Sequence, residues 1–186
     1  MPKIKKPMSA LARAKKAERA AASARRQAEQ KEAARQLKRM NKKPRCVECL
    51  SWNVRMGTGA EIYPHRPDLF DLQYWICECG AYCGCHKGTD YTPLGRPAGP
   101  ATRKAREAAH AAFDPLWKRV AERDNLNAGH ARNRGYRFLA GQLGIERADC
   151  HISHMDAVRC GQVVAICEAV RRGEIRRRER EPGEEG

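Results

Sequence analysis

The placement of cysteines between positions 46 and 86 constrains the fold of this chain more than any other feature of its sequence. Cys46 and Cys49 form a C-x-x-C pair, and a second group follows that contains Cys77, Cys79, Cys83, Cys85 and His86. Two thiolates at C-x-x-C spacing can bind one Zn²⁺ from a tight turn, and ligands from later in the chain complete the tetrahedron. The spacing therefore predicts one structural zinc site.

The first pair of ligands follows from its spacing, whereas the second pair has to be chosen among several candidates. Cys79 ranks first and Cys77 second, because a C-x-C pair needs a tighter turn than C-x-x-C. Cys83, Cys85 and His86 stay open as alternative ligands, or as the start of a second metal site. The predicted ligand set is thus Cys46, Cys49, Cys77 and Cys79, with zinc as the cofactor.

The total of nine cysteines is odd, which argues against a complete disulfide framework. The N-terminus also has no apolar run of the kind that forms a secretory signal. Thiols that bind metal are typical of reducing compartments, so we expect a cytoplasmic protein. No stretch approaches the roughly 20 apolar residues of a membrane span, and no membrane partner is expected.

Charge is distributed unevenly along the 186 residues. Residues 1–45 hold sixteen Lys and Arg against three Glu, a net +13, which leaves +2 of the chain's +15 for residues 46–186. This excess predicts attraction to polyanions. Residues 1–43 form a basic arm rich in Ala, Lys and Arg, residues that favour a solvated helix from about position 9 to 40. Its candidate contacts to nucleic acid are Lys15, Lys16, Arg25, Arg26, Lys38 and Arg39, and a solubilising tail is the alternative.

The pattern of apolar residues predicts a small α+β fold, in which zinc-ribbon β-hairpins pack with three to four α-helices. The ribbon occupies residues 44–96 with a strand at 72–76, and the helical region occupies residues 97–173, followed by a disordered charged tail at 174–186. Asp114-Pro115 predicts a helix start, which divides an apolar-periodic run into two helices. The four predicted helices lie at about 101–112, 114–124, 131–143 and from an S-x-x-D capping box at Ser153 to Gly173.

Three motifs connect the ribbon to the first helices: C-G-A-Y-C-G-C-H-K-G-T from Cys79, P-L-G from Pro93 and H-x-x-F-D-P-L-W from His110. They resemble a family of small phage and bacterial zinc-finger-containing proteins, over about residues 44–170. The resemblance implies a zinc module, a packed helical region and a phage or prophage setting in a bacterial host cell, without an established activity. In that family the second pair is often C-x-x-C and position 83 is usually aliphatic, which disfavours Cys83 as a ligand.

These features favour a zinc-binding, nucleic-acid-binding accessory protein whose partner is DNA or RNA. Lys87, Arg103 and Arg106 are the predicted contacts near the junction of ribbon and helices. One alternative is a zinc-stabilised adaptor for a phage or host protein. Another is a metal-dependent enzyme acting on phosphodiesters through His110, His151 and His154, but the chain has no Walker loop, nucleophile elbow or HExxH motif. The sequence therefore favours binding over catalysis.

Overall fold

A computed structural model describes residues 10–88 and 91–175, without the side chains of residues 10–15 and 35–41. The chain divides into two compact units, Met1–Lys42 and Lys43–Gly186. The first unit contains helix α1 (Ala10–Asn41), whose 32 residues correspond to a length of about 48 Å. Side chains 16–34 are all exposed. The predicted polar helix is confirmed, whereas residues 176–186 of the predicted tail lie outside the described residues.

The second unit begins with a three-stranded antiparallel sheet of order β1-β2-β3. Its strands are β1 (Val54–Thr58), β2 (Gln73–Cys77) and β3 (Tyr82–Gly84). A short helix α2 (Gly59–Ile62) and a 3₁₀ turn (Pro67–Leu69) connect β1 to β2. The strand predicted at 72–76 is confirmed with a shift of one residue. Its aromatic and β-branched side chains suit the centre of a sheet, where both faces are covered.

A small core lies beneath this sheet and includes two of the cysteines. Trp75 is buried, and its indole Nε1 donates a hydrogen bond of 2.9 Å to the Tyr91 carbonyl. The core residues of the ribbon are Cys46, Val54, Trp75, Cys77 and Ala81. A core of this size is marginal for independent folding, so a bound metal would add stability that packing alone does not supply.

Three helices form the larger layer of the second unit: α3 (Pro100–Arg123), α4 (Ala128–Leu143) and α5 (Ala157–Arg171). A 3₁₀ turn (Ile152–His154) precedes α5. Their core includes Phe113, Tyr136, Leu139, Ile152, Met155, Val163 and three buried cysteines at 150, 160 and 167. The predicted α+β class is therefore confirmed, with a small sheet and a helical layer.

The predicted break at Asp114-Pro115 is wrong, because α3 continues through Pro115. Asp114 does not cap a helix, since its Oδ1 accepts a hydrogen bond of 2.9 Å from Trp117 Nε1. Proline removes one backbone hydrogen bond from the helix interior. Ala112 and Phe113 are buried in the helical core just before it, and this burial offsets the lost bond.

The start of α5 also differs from the prediction. Asp156 is the N-cap, and its side chain accepts a bond of 2.7 Å from Arg159 N–H, whereas Ser153 Oγ lies 2.7 Å from His151 Nδ1 in the 3₁₀ turn. Val158 is 75% exposed although it is an apolar residue of this helix. The buried face carries Cys160, Val163 and Cys167 instead. The predicted end of the helix at about residue 143 is confirmed, since α4 ends at Leu143 and the next residue, Gly144, has a left-handed φ of 62°.

None of the helices in residues 10–88 and 91–175 combines the length and apolar character needed to cross a membrane.

Candidate metal centre

Two tight turns present the four cysteines of the predicted ligand set. In the first turn Cys46 N–H donates to the Ser51 carbonyl at 3.0 Å, and in the second Cys77 N–H donates to the Ala81 carbonyl at 2.7 Å. The residue that follows each turn's second cysteine has positive φ, 58° for Leu50 and 84° for Gly80. The backbone thus leaves the C-x-C turn in the same left-handed conformation in which it leaves the C-x-x-C turn.

The four sulfurs of Cys46, Cys49, Cys77 and Cys79 all lie within 4.8 Å of one another. The Sγ atoms of Cys46 and Cys79 are 3.6 Å apart, and those of Cys49 and Cys77 are 3.5 Å apart. A tetrahedral Zn²⁺ with Zn–S bonds of about 2.3 Å requires sulfur separations of about 3.8 Å. The arrangement therefore fits one tetrahedral metal ion.

Burial and hydrogen bonding shift the pKa values of Cys46, Cys49 and Cys77 in different directions. Desolvation raises the pKa of Cys77 to about 12, and it also raises that of Cys46, although backbone N–H groups of Cys49 and Glu48 act in the opposite direction. The exposed Cys49 thiol has its pKa lowered to about 7, chiefly by the backbone N–H of Ser51. Backbone donors aimed at sulfur stabilise thiolates, which are the form that binds metal. Cys46 and Cys77 are buried and Cys49 and Cys79 are exposed, so the site lies at the edge of the ribbon core.

The donor set also limits what chemistry this centre can do. Four protein thiolates fill a tetrahedral shell and leave no position for water or substrate, which is typical of structural sites. Within the described part of the chain, this is the one cluster of three or more side chains of metal-binding type. The centre is therefore suited to holding the fold.

The alternative ligands do not join the cluster. Cys83 donates its thiol hydrogen to the Gly95 carbonyl at 3.2 Å, and burial raises its pKa to about 12. Burial also raises the pKa of Cys85 to about 11, and His86 is exposed. The sulfurs of Cys83 and Cys85 and the imidazole of His86 are absent from the one cluster of metal-binding side chains among the described residues. Cys83, Cys85 and His86 consequently do not form a second metal site with other described residues.

The first cysteine turn is attached to the N-terminus of α3. Val47 N–H donates to the Pro97 carbonyl at 3.0 Å, and Gly99 N–H donates to Glu48 Oε1 at 2.8 Å. This N–H and the Thr102 hydroxyl lower the pKa of Glu48. A carboxylate at a helix N-terminus accepts otherwise unpaired N–H groups and interacts favourably with the helix dipole. Sequence reasoning missed Glu48, whose position between two cysteines gave no sign of a partner 51 residues away.

Two of the predicted nucleic-acid contacts are engaged inside the second unit. Arg103 donates from Nη1 to the Ala98 carbonyl at 2.6 Å, and its guanidinium carbon lies 4.1 Å from the centroid of the Tyr82 ring. Arg106 donates to the carbonyls of Met155 and Arg96, each at 2.9 Å. Burial lowers the pKa of Arg106. Both arginines therefore connect the ribbon and loops to α3, while the third predicted contact, Lys87, is exposed.

The predicted contacts of the arm lie on α1. Lys16, Arg25 and Arg26 are exposed. Lys15, Lys38 and Arg39 are also in α1, but their side chains lie outside the described ones. Three of the six predicted contacts of the arm are therefore shown to be exposed, and their partner stays a prediction.

The aromatic residues of the ribbon are mainly packing residues. Tyr63, Tyr74 and Tyr82 meet edge to face with ring centroids 5.8–6.0 Å apart, and the hydroxyls of Tyr63 and Tyr82 are 2.7 Å apart. Trp52 differs, since it is 60% exposed and follows the first cysteine turn. It is the aromatic side chain of the ribbon best placed to meet a ligand.

The histidines considered for catalysis do not assemble a metal site. His110 Nδ1 lies 3.5 Å from Asp114 Oδ1. The His151 ring stacks on Tyr136 with centroids 5.2 Å apart and lies 5.2 Å from the His154 ring. Desolvation, together with nearby histidines and arginines, lowers the pKa of His151 to about 4. This cluster belongs to the packing between α4 and the 3₁₀ turn.

A family model described as a zinc-finger-containing domain matches residues 33–170, which is more than half of the chain. The chain therefore belongs to this family of zinc-finger-containing domains. Comparison with curated proteins and with solved structures finds no match. The family description agrees with the four-cysteine cluster and leaves its biological role to be inferred from the chain itself.

Proposed function

We propose that this zinc-finger-containing protein binds nucleic acid through its basic arm, and that Zn²⁺ at the four cysteines holds the second unit in its fold. The observation that carries the proposal is the segregation of charge. Residues 1–45 carry +13 and residues 46–186 only +2. A solubilising role would not require the excess cations to be concentrated in one segment.

The shape of the arm supports this proposal. Helix α1 is about 48 Å long, and duplex DNA presents one phosphate per strand every ~3.4 Å along its axis. Side chains 16–34 are exposed and include five cations: Lys16, Arg19, Arg25, Arg26 and Lys31. Contacts to phosphates carry no base sequence information. The proposed binding is accordingly independent of sequence.

The second unit contributes a smaller, local surface. Arg103 and Arg106 make internal contacts, so the proposed contacts on this unit are Lys87 and Trp52. An exposed indole can stack on an unpaired base, an interaction worth about 1–3 kcal/mol. Trp52 would therefore favour single strands over duplex. A role as an accessory protein in the cytoplasm of a bacterial host, in a phage or prophage setting, belongs to the same proposal.

The test compares two full-length, zinc-loaded variants by fluorescence anisotropy on labelled duplex DNA, single-stranded DNA and RNA over a salt series. One variant replaces the five exposed cations of α1 with Gln. The matched control replaces five exposed cations of the second unit that are not proposed contacts: Arg66, Lys104, Lys118, Arg137 and Arg159. The wild type is expected to show a slope of log K against log[salt] of roughly −7 on duplex DNA, if about eight phosphates are neutralised.

The arm variant should flatten this slope by about 4, whereas the control should change it by less than about 1. Trp52→Ala should weaken binding to single strands and leave duplex binding and its salt slope nearly unchanged. Equal slopes for the arm variant and the wild type would refute the proposal. So would an absence of binding to all three nucleic acids at low salt.

A further inference from the structure

An apolar groove lies in the helical layer, away from the metal centre. Its volume is about 260 Å³, and it is formed by the C-terminal half of α3, by α4 and by the end of α5. Phe113 and Leu139 form its buried floor. Its partly buried apolar walls are Leu116, Trp117, Val120, Phe138, Val170 and Ile175. An open groove with this lining leaves apolar surface in contact with water.

The rim of the groove is strongly basic. Arg119, Arg123 and Arg134 line it, and no acidic side chain is among its described lining residues. Arg123 Nε lies 2.6 Å and Arg134 Nη1 2.8 Å from different oxygens of Asp124. One carboxylate is thus shared between two arginines, and Arg119 adds a further positive charge four residues before Arg123. Like charges at this spacing on a helix repel, and an incoming carboxylate would relieve the repulsion.

Segments of this chain are poor candidates to fill the groove. Residues 176–186 contain no large apolar side chain, and their first three residues are arginines. Residues 1–9 contain Ile4 but also three lysines and no acidic residue. A second copy docked through the same face would bring its own arginines against this rim. Nucleic acid has no apolar side chains to bury between the helices.

We propose that the groove binds an amphipathic helix of another protein, which buries two or three Leu- or Phe-sized side chains and presents Asp or Glu to the arginine rim. The volume is below the roughly 300–1,000 Å³ of pockets for drug-sized ligands. Helix-in-groove recognition needs room only for a few anchoring side chains at positions i, i+3 or i+4, and i+7. Opposite charge at the rim sets the orientation of the helix and speeds association.

The test uses three synthetic helical peptides and the full-length, zinc-loaded protein. The first peptide carries Leu at i, i+4 and i+7 with Glu at the flanking positions. In the second peptide Lys replaces each Glu, and in the third Ser replaces each Leu. Titration calorimetry gives affinities, and the indole NMR signal of Trp117 reports contact inside the groove. The acidic apolar peptide should bind and shift this signal, whereas the other two should bind at least tenfold more weakly.

Two charge-reversed proteins complete the design. The double substitution Arg119→Glu with Arg123→Glu should weaken binding of the acidic peptide at least tenfold. The control, Lys104→Glu with Arg159→Glu, does not alter the groove and should change the affinity for this peptide less than about threefold. Phe138→Ala enlarges the groove without altering its charge and should also weaken binding. The proposal is overturned if all three peptides bind equally, if none binds at millimolar concentration, or if the rim reversal has no effect. It is also overturned if the free protein is a dimer that the rim reversal dissociates, since a second copy would then be the occupant.

Discussion

Glu48 Oε1 accepts a hydrogen bond of 2.8 Å from the backbone N–H of Gly99, the N-cap residue of α3. A side chain between the first two cysteines therefore caps a helix that spans the larger core. The Cys46 thiol lies 3.7 Å from the Pro97 carbonyl in the same region. These contacts connect the first cysteine turn to the start of α3, although the ribbon and helical cores are separate clusters.

The first prediction concerns this connection. Glu48→Ala should lower the free energy of unfolding by about 1–2 kcal/mol, because it removes a charged acceptor from a helix N-terminus. Glu78→Ala is the matched control, since Glu78 also lies between two cysteines but its carboxylate accepts a hydrogen bond of 2.6 Å from the exposed Asn53 side chain and does not cap a helix. Its effect should be below about 0.5 kcal/mol. Urea unfolding of zinc-saturated proteins measures both values, and equal losses would show that the link to α3 contributes nothing.

The second prediction is that one Zn²⁺ per chain binds at the four-cysteine centre. Cys49→Ser should abolish stoichiometric zinc and lower the thermal transition of the whole second unit, because metal binding supplies folding free energy. Cys150→Ser is the control. It places a hydroxyl in the helical core and costs stability, but Cys150 is absent from the ligand cluster, so the zinc content should stay at one. Elemental analysis showing two zinc ions per chain in the wild type would contradict the single-site geometry.

Local sequence signals anticipated the elements that depend on local chemistry. The C-x-x-C pair, the strand before Cys77 and the Gly144 helix stop all follow from residues adjacent in the chain. The failures have long-range causes. The continuity of α3 through Pro115 depends on burial of Phe113 against other helices. The internal hydrogen bonds of Arg103 and Arg106 also depend on carbonyl groups whose positions only the folded chain determines, while their contacts to nucleic acid stay a prediction.

The third prediction tests the left-handed exit of the second cysteine turn. Gly80→Ala should destabilise the protein by about 1 kcal/mol, because φ is 84° there while no atom beyond the adjacent residues lies within 4 Å of the added methyl group. Gly141→Ala is the control with equally open surroundings, but it lies inside α4. Alanine should stabilise that position by roughly 0.5–1 kcal/mol. Opposite signs of the two stability changes in denaturant unfolding would show that the effect at Gly80 comes from backbone conformation and not from crowding. The same sign for both substitutions would contradict the turn geometry.

The fourth prediction concerns the pH dependence of stability at His151. Its pKa is lowered from 6.5 to about 4, first by burial and then by His154, Arg132, His110 and Arg147. Between pH 6.5 and 4 the unfolded chain therefore binds a proton at this position that the folded chain does not bind. Stability contributed by the neutral imidazole is fully present above pH 6.5 and is lost as the pH falls toward 4, below which the loss levels off.

His151→Asn removes this titration and can retain a hydrogen bond to Ser153. The variant should lose stability at pH 7, because the stacking on Tyr136 is reduced, but the difference from wild type should shrink between pH 6.5 and 4. Both proteins contain the same thiolate centre. The effect of acid on that centre therefore cancels in the difference between their stabilities at each pH. Denaturant unfolding gives the difference, and NMR gives the midpoint of the His151 ring directly. Parallel stability curves, or a ring midpoint near 6.5, would show that the imidazole is not held neutral by its surroundings.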